Sequence, residues 1–421
     1  MITAVTSPTD HSRLQRRTLF TLIGSVGPAG MGMAGGFAAT TLASKEIVEN
    51  ESLATLAATM ISIGGALVAV PLSRFMARRG RRPGLRIGWT IAAVGALFAI
   101  LAVETSTYPL LVLGTLGIGA GNGTNLAARY AAADLAEDDR RARSIGILVW
   151  ASSIGSILGP TVALGATKPP AEWLGLEALS GPYLMAFLVF VLAATVVELF
   201  LRPDPLLTAT GGDGFTAPDR PTLRQSFARI GSNRLAVIAV GAMAVGQGVM
   251  VAVMTVTPLH MDDGAHEKEI IGLVISLHIV GMYLFAPVVG WLVDRLPSSV
   301  IVATAGVTLF IGGEMASHTD AEDRLGVFVG LFLIGLGWSF AMISGSSLLT
   351  GAFGVKERAA IQGAADFTMT TSGAAAGLAS GVIVEASSYH SLSHWAGVAA
   401  LALVAAAFYP VVTKVRTPTS V

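Results

Sequence analysis

Twelve apolar stretches of about 20 residues, each closed by charges or by Pro/Gly-marked breaks, leave this chain one kind of fold. A stretch of that length spans the hydrocarbon core of a bilayer as a helix, and in lipid a helix satisfies its own backbone polar groups. The stretches run over residues 18–43, 52–75, 84–103, 108–133, 144–166, 181–201, 236–260, 269–293, 299–316, 325–352, 359–385 and 392–413. Composition agrees, since 53% of the 421 residues are apolar and only 13% charged, against about 25% charged in a soluble domain. Lys+Arg and Asp+Glu balance at 27 each, which leaves no basic excess to hold nucleic acid. The chain has no cysteine, so disulfides, thiolate metal sites and cysteine nucleophiles are excluded. Its 49 glycines recur inside the apolar runs, where small residues let membrane helices approach closely. The expected fold is an all-α polytopic membrane protein, monomeric, with the lipid bilayer as its partner.

Twelve spans put both termini on one side. On that side lie 23 Lys and Arg, including Arg13, Arg16, Arg17, Arg74, Arg78, Arg79, Arg81, Arg82 and Arg86. The other side holds only Lys45, Lys168, Lys268 and Arg324, which completes the 27 present. Basic loops stay in the cytoplasm, so both termini are expected there, in a bacterial inner (plasma) membrane crossed many times. The expected organisation is an N-terminal tail over 1–17, a six-helix bundle over 18–201, a cytoplasmic linker over 202–235, a second six-helix bundle over 236–413 and a tail over 414–421. The first apolar run, about 25 residues long, exceeds the roughly 7–15 of a signal-peptide core and reads as a retained helix.

The two bundles share a repeat. The loop after the second span reads Ser73-Arg-Phe-Met-Ala77-Arg78-Arg79-Gly80-Arg81-Arg82, and that after the eighth reads Gly290-Trp-Leu-Val-Asp294-Arg295. Ala77 and Asp294 are 217 residues apart, as are Arg141 and Arg358 at the starts of the fifth and eleventh spans. Equal offsets in matching loops indicate two pseudo-symmetric six-helix bundles with a substrate site between them near the midplane. These residues carry a resemblance to the major facilitator superfamily, whose signature between the second and third helices is G-x-L-x-D-R-x-G-R-R. By that resemblance, Gly290, Asp294, Arg295, Arg78, Gly80, Arg81 and Arg82 form a cytoplasmic gate. The second copy keeps the acid and the first has Ala77 in its place. Gly155-x-x-x-Gly159-Pro160 in the fifth span resembles the start of a motif of proton-coupled drug antiporters. Ala163 and Leu164 replace its last two glycines, and the middle of the fourth span, Leu113 to Gly117, lacks the buried arginine usual in proton-coupled members. A close helix contact with a proline kink explains the motif as well.

The seventh span contains Met250-x-x-x-Met254 and the eighth His278-x-x-x-Met282. Residues four apart share a helix face. With the two spans taken as antiparallel neighbours, Met250 and His278 lie at one depth, roughly 15 Å from the outer loop at 1.5 Å per residue. Thioethers favour Cu(I) over harder ions and imidazole tolerates copper. On these pairs the sequence is similar to the CcoA-like copper importers of the superfamily, which implies Cu(I) uptake through Met250, Met254, His278 and Met282. That family also includes riboflavin transporters resembling RfnT, and its copper importers use cysteines that this chain lacks. The expected function is therefore secondary active transport by alternating access. Cu(I) is the first expected substrate, with no permanently bound cofactor; riboflavin or another organic solute, or proton-coupled drug efflux, is the alternative. No nucleotide loop or nucleophile motif points to an enzyme. Asp366 is a candidate for the coupling proton or for pairing a loop arginine, and Asn122, Asn125 and Gln247 for the cavity wall. Arg129 and Asp134 are expected at the membrane interface, and His260, His266, His318, His390 and His394 at the outer surface.

Overall fold

The computed structural model of the chain describes residues 8–48, 51–211, 221–264, 268–320 and 324–408. Within them all regular structure is helical. The first half consists of α1 (Pro8–Ile47), α2 (Glu51–Arg79), α3 (Arg81–Glu104), α4 (Tyr108–Ala133), α5 (Arg141–Ala166), the short α6 (Lys168–Trp173) and α7 (Ser180–Phe200). Two small helices follow, α8 (Pro205–Ala209) and α9 (Leu223–Ser232). The second half contains α10 (Arg234–Asp263), α11 (Lys268–Tyr283), α12 (Ala286–Arg295), α13 (Ser298–Ser317), α14 (Arg324–Ala352), α15 (Val355–Ala386) and α16 (Tyr389–Phe408). With α11 and α12 forming one crossing, these long helices correspond to the twelve spans, and ten crossings are apolar enough to traverse a membrane by length and composition.

Three differences from the expected boundaries have local causes. Helix α1 begins at Pro8, ahead of residue 18, because Arg13, Arg16 and Arg17 continue it beyond the apolar run and arginine is a good helix former. The eighth crossing breaks at Leu284–Phe285; Pro287, second in α12, has no N–H to continue the ladder. The linker holds two helices, with Thr222 and Gln225 forming a reciprocal cap on α9. Residues 212–220 of that linker, and the tail over 414–421, lie outside the described residues.

Packing produces two cores. One gathers apolar side chains from Leu22 to Leu201, including Trp89 stacked on Phe190. The other runs from Ile230 to Leu403 and takes in Ala142, Ile145 and Val149 of α5. In the second half α14 packs against α10, α11 and α13. The halves meet chiefly at the arginine-rich end, α2 against α15 and α12 against α5. A Cβ at Gly290 would lie 2.5 Å from the Ala142 carbonyl oxygen, so only glycine allows α12 so close to α5.

Candidate functional site

A cavity of ≈ 200 Å³ lies between the halves. The first half contributes Met33 of α1, Asn122, Asn125, Leu126 and Arg129 of α4, and Leu148, Val149, Ser152 and Ser156 of α5. The second contributes Gln247 and Met250 of α10, Met282 and Tyr283, Trp338 and Met342 of α14, and Met369 and Thr370 of α15. Asn122, Asn125 and Gln247, expected in the cavity wall, line it, and so do Met250 and Met282 of the expected copper quartet. Trp338 donates its indole N–H to Gln247 Oε1 at 2.7 Å and meets Tyr283 edge to face, ring centroids 5.7 Å apart. That trio makes a fixed aromatic wall with the Gln247 amide nitrogen left to donate.

Below the cavity, toward the arginine-rich end, two buried arginines close the passage. Arg129 Nη2 lies 2.5 Å from Asp366 Oδ1 on α15. Its Nε donates to Ser346 Oγ of α14 at 2.9 Å and its Nη1 to the Leu126 carbonyl at 2.7 Å. Tyr130 OH donates to Asp366 Oδ1 at 3.2 Å and accepts from Arg129 Nη2 at 3.1 Å. One layer further out, Arg81 pairs with Asp134 (Nε–Oδ2 2.7 Å) and donates to Gln362 Oε1 of α15 at 2.7 Å. Arg129 and Asp134, expected at the membrane interface, are 2% and 6% exposed and each is held in a buried ion pair. Arg129 is also a buried arginine on the fourth crossing, sought in the sequence near Leu113–Gly117 and found three turns later. Asp366 is held by this arginine and not by a loop arginine. A charge inside an apolar span was the signal for both.

The expected copper quartet is not assembled. Helices α10 and α11 scarcely touch, because α14 packs against both. Small residues on α14 allow this: a Cβ at Gly335 would sit 2.4 Å from the His278 carbonyl oxygen, and one at Gly345 2.6 Å from that of Ala239. Met250 and Met282 reach the cavity, whereas half-buried Met254 and fully buried His278 do not line it. His278 Nδ1 lies 2.7 Å from the Leu331 carbonyl, which can only accept. The proton therefore sits on Nδ1, and the buried Nε2 keeps its lone pair without a hydrogen-bond partner among the described residues. The sequence missed Met33, Met342 and Met369, which bring the methionines in the wall to five.

The gate residues divide. Asp294 accepts from the backbone N–H of Ala142 and Arg143 at 2.8 Å each, capping α5 across the interface. Ala77 packs on Ala359, Leu206 and Val355. Gly80, at φ +96°, lies beside Asp204, which accepts from the Arg82 N–H at 2.7 Å. Arg295 stacks over Trp291 at 4.2 Å, and Arg78 is exposed. In α5, Gly155 and Gly159 let α1 approach: Cβ atoms there would lie 2.1 Å from the Gly27 and 2.7 Å from the Met31 carbonyl oxygens. Pro160 lies in the same helix, so this motif packs helices. Of the outer histidines, His394 and His318 flank Glu314, His390 faces the Ser317 carbonyl and His260 stacks on Tyr389; His266 lies outside the described residues. Among the described residues no three His, Asp or Glu side chains are grouped to hold a metal ion.

The sequence profile of the Major Facilitator Superfamily matches residues 20–377 and, in a second placement, 238–420. The chain belongs to this superfamily. Its fold and its place in the superfamily make it a secondary transporter of the membrane. It is 35% identical over 409 residues to the "uncharacterized MFS-type transporter YdeG" of Bacillus subtilis, covering 95% of this chain and 93% of that one. It is 25% identical over 355 residues to the riboflavin transporter RfnT of Brucella anthropi, covering 84% and 85%. A solved bacterial homologue of the iron transporter ferroportin, in an outward-facing state, superposes with a TM-score of 0.72 at 15% identity, covering 94% and 98%. At that identity the likeness is one of fold. The narrower resemblance, to copper importers, finds no counterpart in these relatives.

Proposed function

We propose that this transporter carries a small organic solute with a planar ring system across the bacterial inner membrane by alternating access. The observation that carries the reading is the wall of the central cavity. Trp338 and Tyr283 offer ring faces and edges, while Gln247, Asn122 and Asn125 offer amides. Few precisely placed polar groups among apolar ones are what an organic ligand site needs. The relationship to RfnT supports a flavin as the substrate. At ≈ 200 Å³ the cavity is smaller than the about 300–1,000 Å³ that encloses a drug-sized ligand, so a flavin enters with some parting of the halves. Helices α1 and α10 both line the cavity and hardly touch, which leaves room for that movement. The arginine-rich end is taken as cytoplasmic. A cysteine at exposed Arg224 of α9, in this cysteine-free chain, is then protected from an impermeant reagent in intact cells; labelling there overturns the orientation.

A second reading, Cu(I) as substrate, is favoured by the five thioethers of the wall and by the unpartnered Nε2 of His278. Uptake into proteoliposomes separates the two. Saturable riboflavin uptake that fails in Trp338→Ala and persists in Met250→Leu supports the organic-solute reading. Met250→Leu costs under about 1.5 kcal/mol as a packing change, so loss of Cu(I) uptake in that variant, without flavin uptake in the parent, establishes copper instead. Transport of neither by folded protein overturns both the flavin and the copper assignment.

A further inference from the structure

We propose that Asp366 is the proton-binding site through which opening of the arginine-rich end is tied to the proton gradient. The inference rests on the carrier reading and not on the identity of the solute.

The geometry is a buried ion pair laid across the interface that must part. Asp366 is on α15 of the second half, and both partners of its Oδ1, Arg129 Nη2 and Tyr130 OH, are on α4 of the first. When the halves separate at this end, Arg129 keeps the Leu126 carbonyl and Tyr130 OH from its own helix. Asp366 keeps neither of its partners. A carboxylate stripped of its cation inside a membrane protein is strongly disfavoured, and a proton removes that charge. The pair borders the cavity, because Arg129 lines it, as do Met369 and Thr370 on the turn after Asp366. A proton from cavity water binds a carboxylate oxygen of Asp366, the ion pair with Arg129 is lost, the end opens, and the proton leaves to the water on the arginine-rich side.

The repeat makes the device one-sided. Arg129 bonds Ser346, the position 217 residues later that corresponds to it in the second half, and Asp366 corresponds to Val149. Neither counterpart titrates. Of the other ionisable groups, α15 itself carries Lys356, Glu357 and Arg358 in its first turn and Glu385 near its far end. Helix α4 presents Arg129 and Tyr130, and Arg81, at the start of α3, stands next outward with Asp134 and the neutral Gln362. Helix α14 carries Arg324 alone, at its far end; α16 carries Tyr389, His390 and His394 at its outer end. Helix α10 has Arg234 at one end and His260, Asp262 and Asp263 at the other. Helix α2 has Glu51 at its start and Arg74, Arg78 and Arg79 at the arginine-rich end, and α9 sets Arg229 on Glu357 at the start of α15.

The absence of cysteine permits a test that needs no substrate. Spin labels at Arg79→Cys on α2 and Lys356→Cys on α15, both exposed, report the separation of the halves in lipid nanodiscs as pH is lowered. One proton bound on opening makes the open-to-closed ratio rise about tenfold per pH unit. Asp366→Asn should abolish that slope and Asp366→Glu should keep it. Arg129→Gln, which leaves the carboxylate without its cation, should keep the slope and move opening to higher pH. A wild-type slope in Asp366→Asn, or opening of the parent without any pH dependence, overturns the proposal and leaves the carrier reading intact. An end that stays closed in the parent at every pH overturns both.

Discussion

The two interfaces that close the arginine-rich end descend from one repeat and are held by different chemistry. Between α12 and α5, the half-exposed Asp294 carboxylate takes two backbone N–H groups at the start of α5. Between α2 and α15, the matching Ala77 packs on Ala359, and the tie is made by fully buried Arg81, which grips Asp134 and reaches Gln362 on α15. Ala142 and Ala359 are themselves 217 residues apart, so the same positions face each other. What differs is where the receiving helix begins. Ala142 is the second residue of α5, whereas Ala359 is the fifth of α15. Only the first four N–H groups of a helix lack internal partners. Asp294 therefore finds free donors at Ala142 and Arg143, whereas the matching N–H groups of Ala359 and Ala360 lie past the first four of α15 and bond within it. One contact is a cap that water can replace as the halves part. The other is a buried ion-pair network that stays within the first half except for one bond to Gln362.

That difference can be broken from either side. The largest effect is expected for Asp134→Ala, which leaves the Arg81 guanidinium buried without its counter-charge. Loss of one partner of such a pair costs about 3–5 kcal/mol, read as a fall in the thermal unfolding midpoint in detergent; an unchanged midpoint would mean the network carries little. Ala77→Asp is next. It puts the superfamily's usual acid at a site 5% exposed whose matching donors, the Ala359 and Ala360 N–H groups, are engaged within α15, and an unsatisfied polar group there costs about 1–3 kcal/mol. Restored closure at α2–α15, seen as a shorter distance between the Arg79 and Lys356 labels, would show that donors are available after all. The smallest effect is that of Asp294→Ala, which removes a cap worth about 0.5–2 kcal/mol. It should raise the population open at the arginine-rich end while leaving solute affinity unchanged. Weaker binding at unaltered opening would place Asp294 outside the closure.

The loop motifs and the repeat were legible because they depend on spacing alone. The loop motif points to Asp294 as the acidic member of a closure, and it caps α5 across the interface; Arg81 shows in the sequence only as one more basic residue in a loop of six. The candidate site was half legible. Helix number alone points Gln247, Asn122 and Asn125 to the wall, and they line it; Met250 and Met282, expected as copper ligands, line it too. His278 shares the depth of Met250 and does not line the cavity, since depth says nothing about which neighbour a helix face meets. Arg129 and Asp366 lie on different helices and 237 residues apart, with no spacing rule to join them.

Twelve apolar runs, their arginine asymmetry and the 217-residue offset determined the number of crossings, their expected sidedness and the duplication, since each follows from lipid thickness, loop charge or spacing read along one dimension, while the superfamily came from the resemblance of the loop motif. The tertiary structure alone decided which helices touch. In a soluble helix an apolar stripe marks the buried face, but a membrane helix is apolar all round, and lipid tails compete equally for every Leu. Neighbours are then chosen by where small residues let backbones close in. That is how Gly335 and Gly345 of α14 bring that helix against both α10 and α11, parting two motifs that looked like one site and gathering five methionines, an aromatic pair and a buried Arg–Asp bridge around the passage instead.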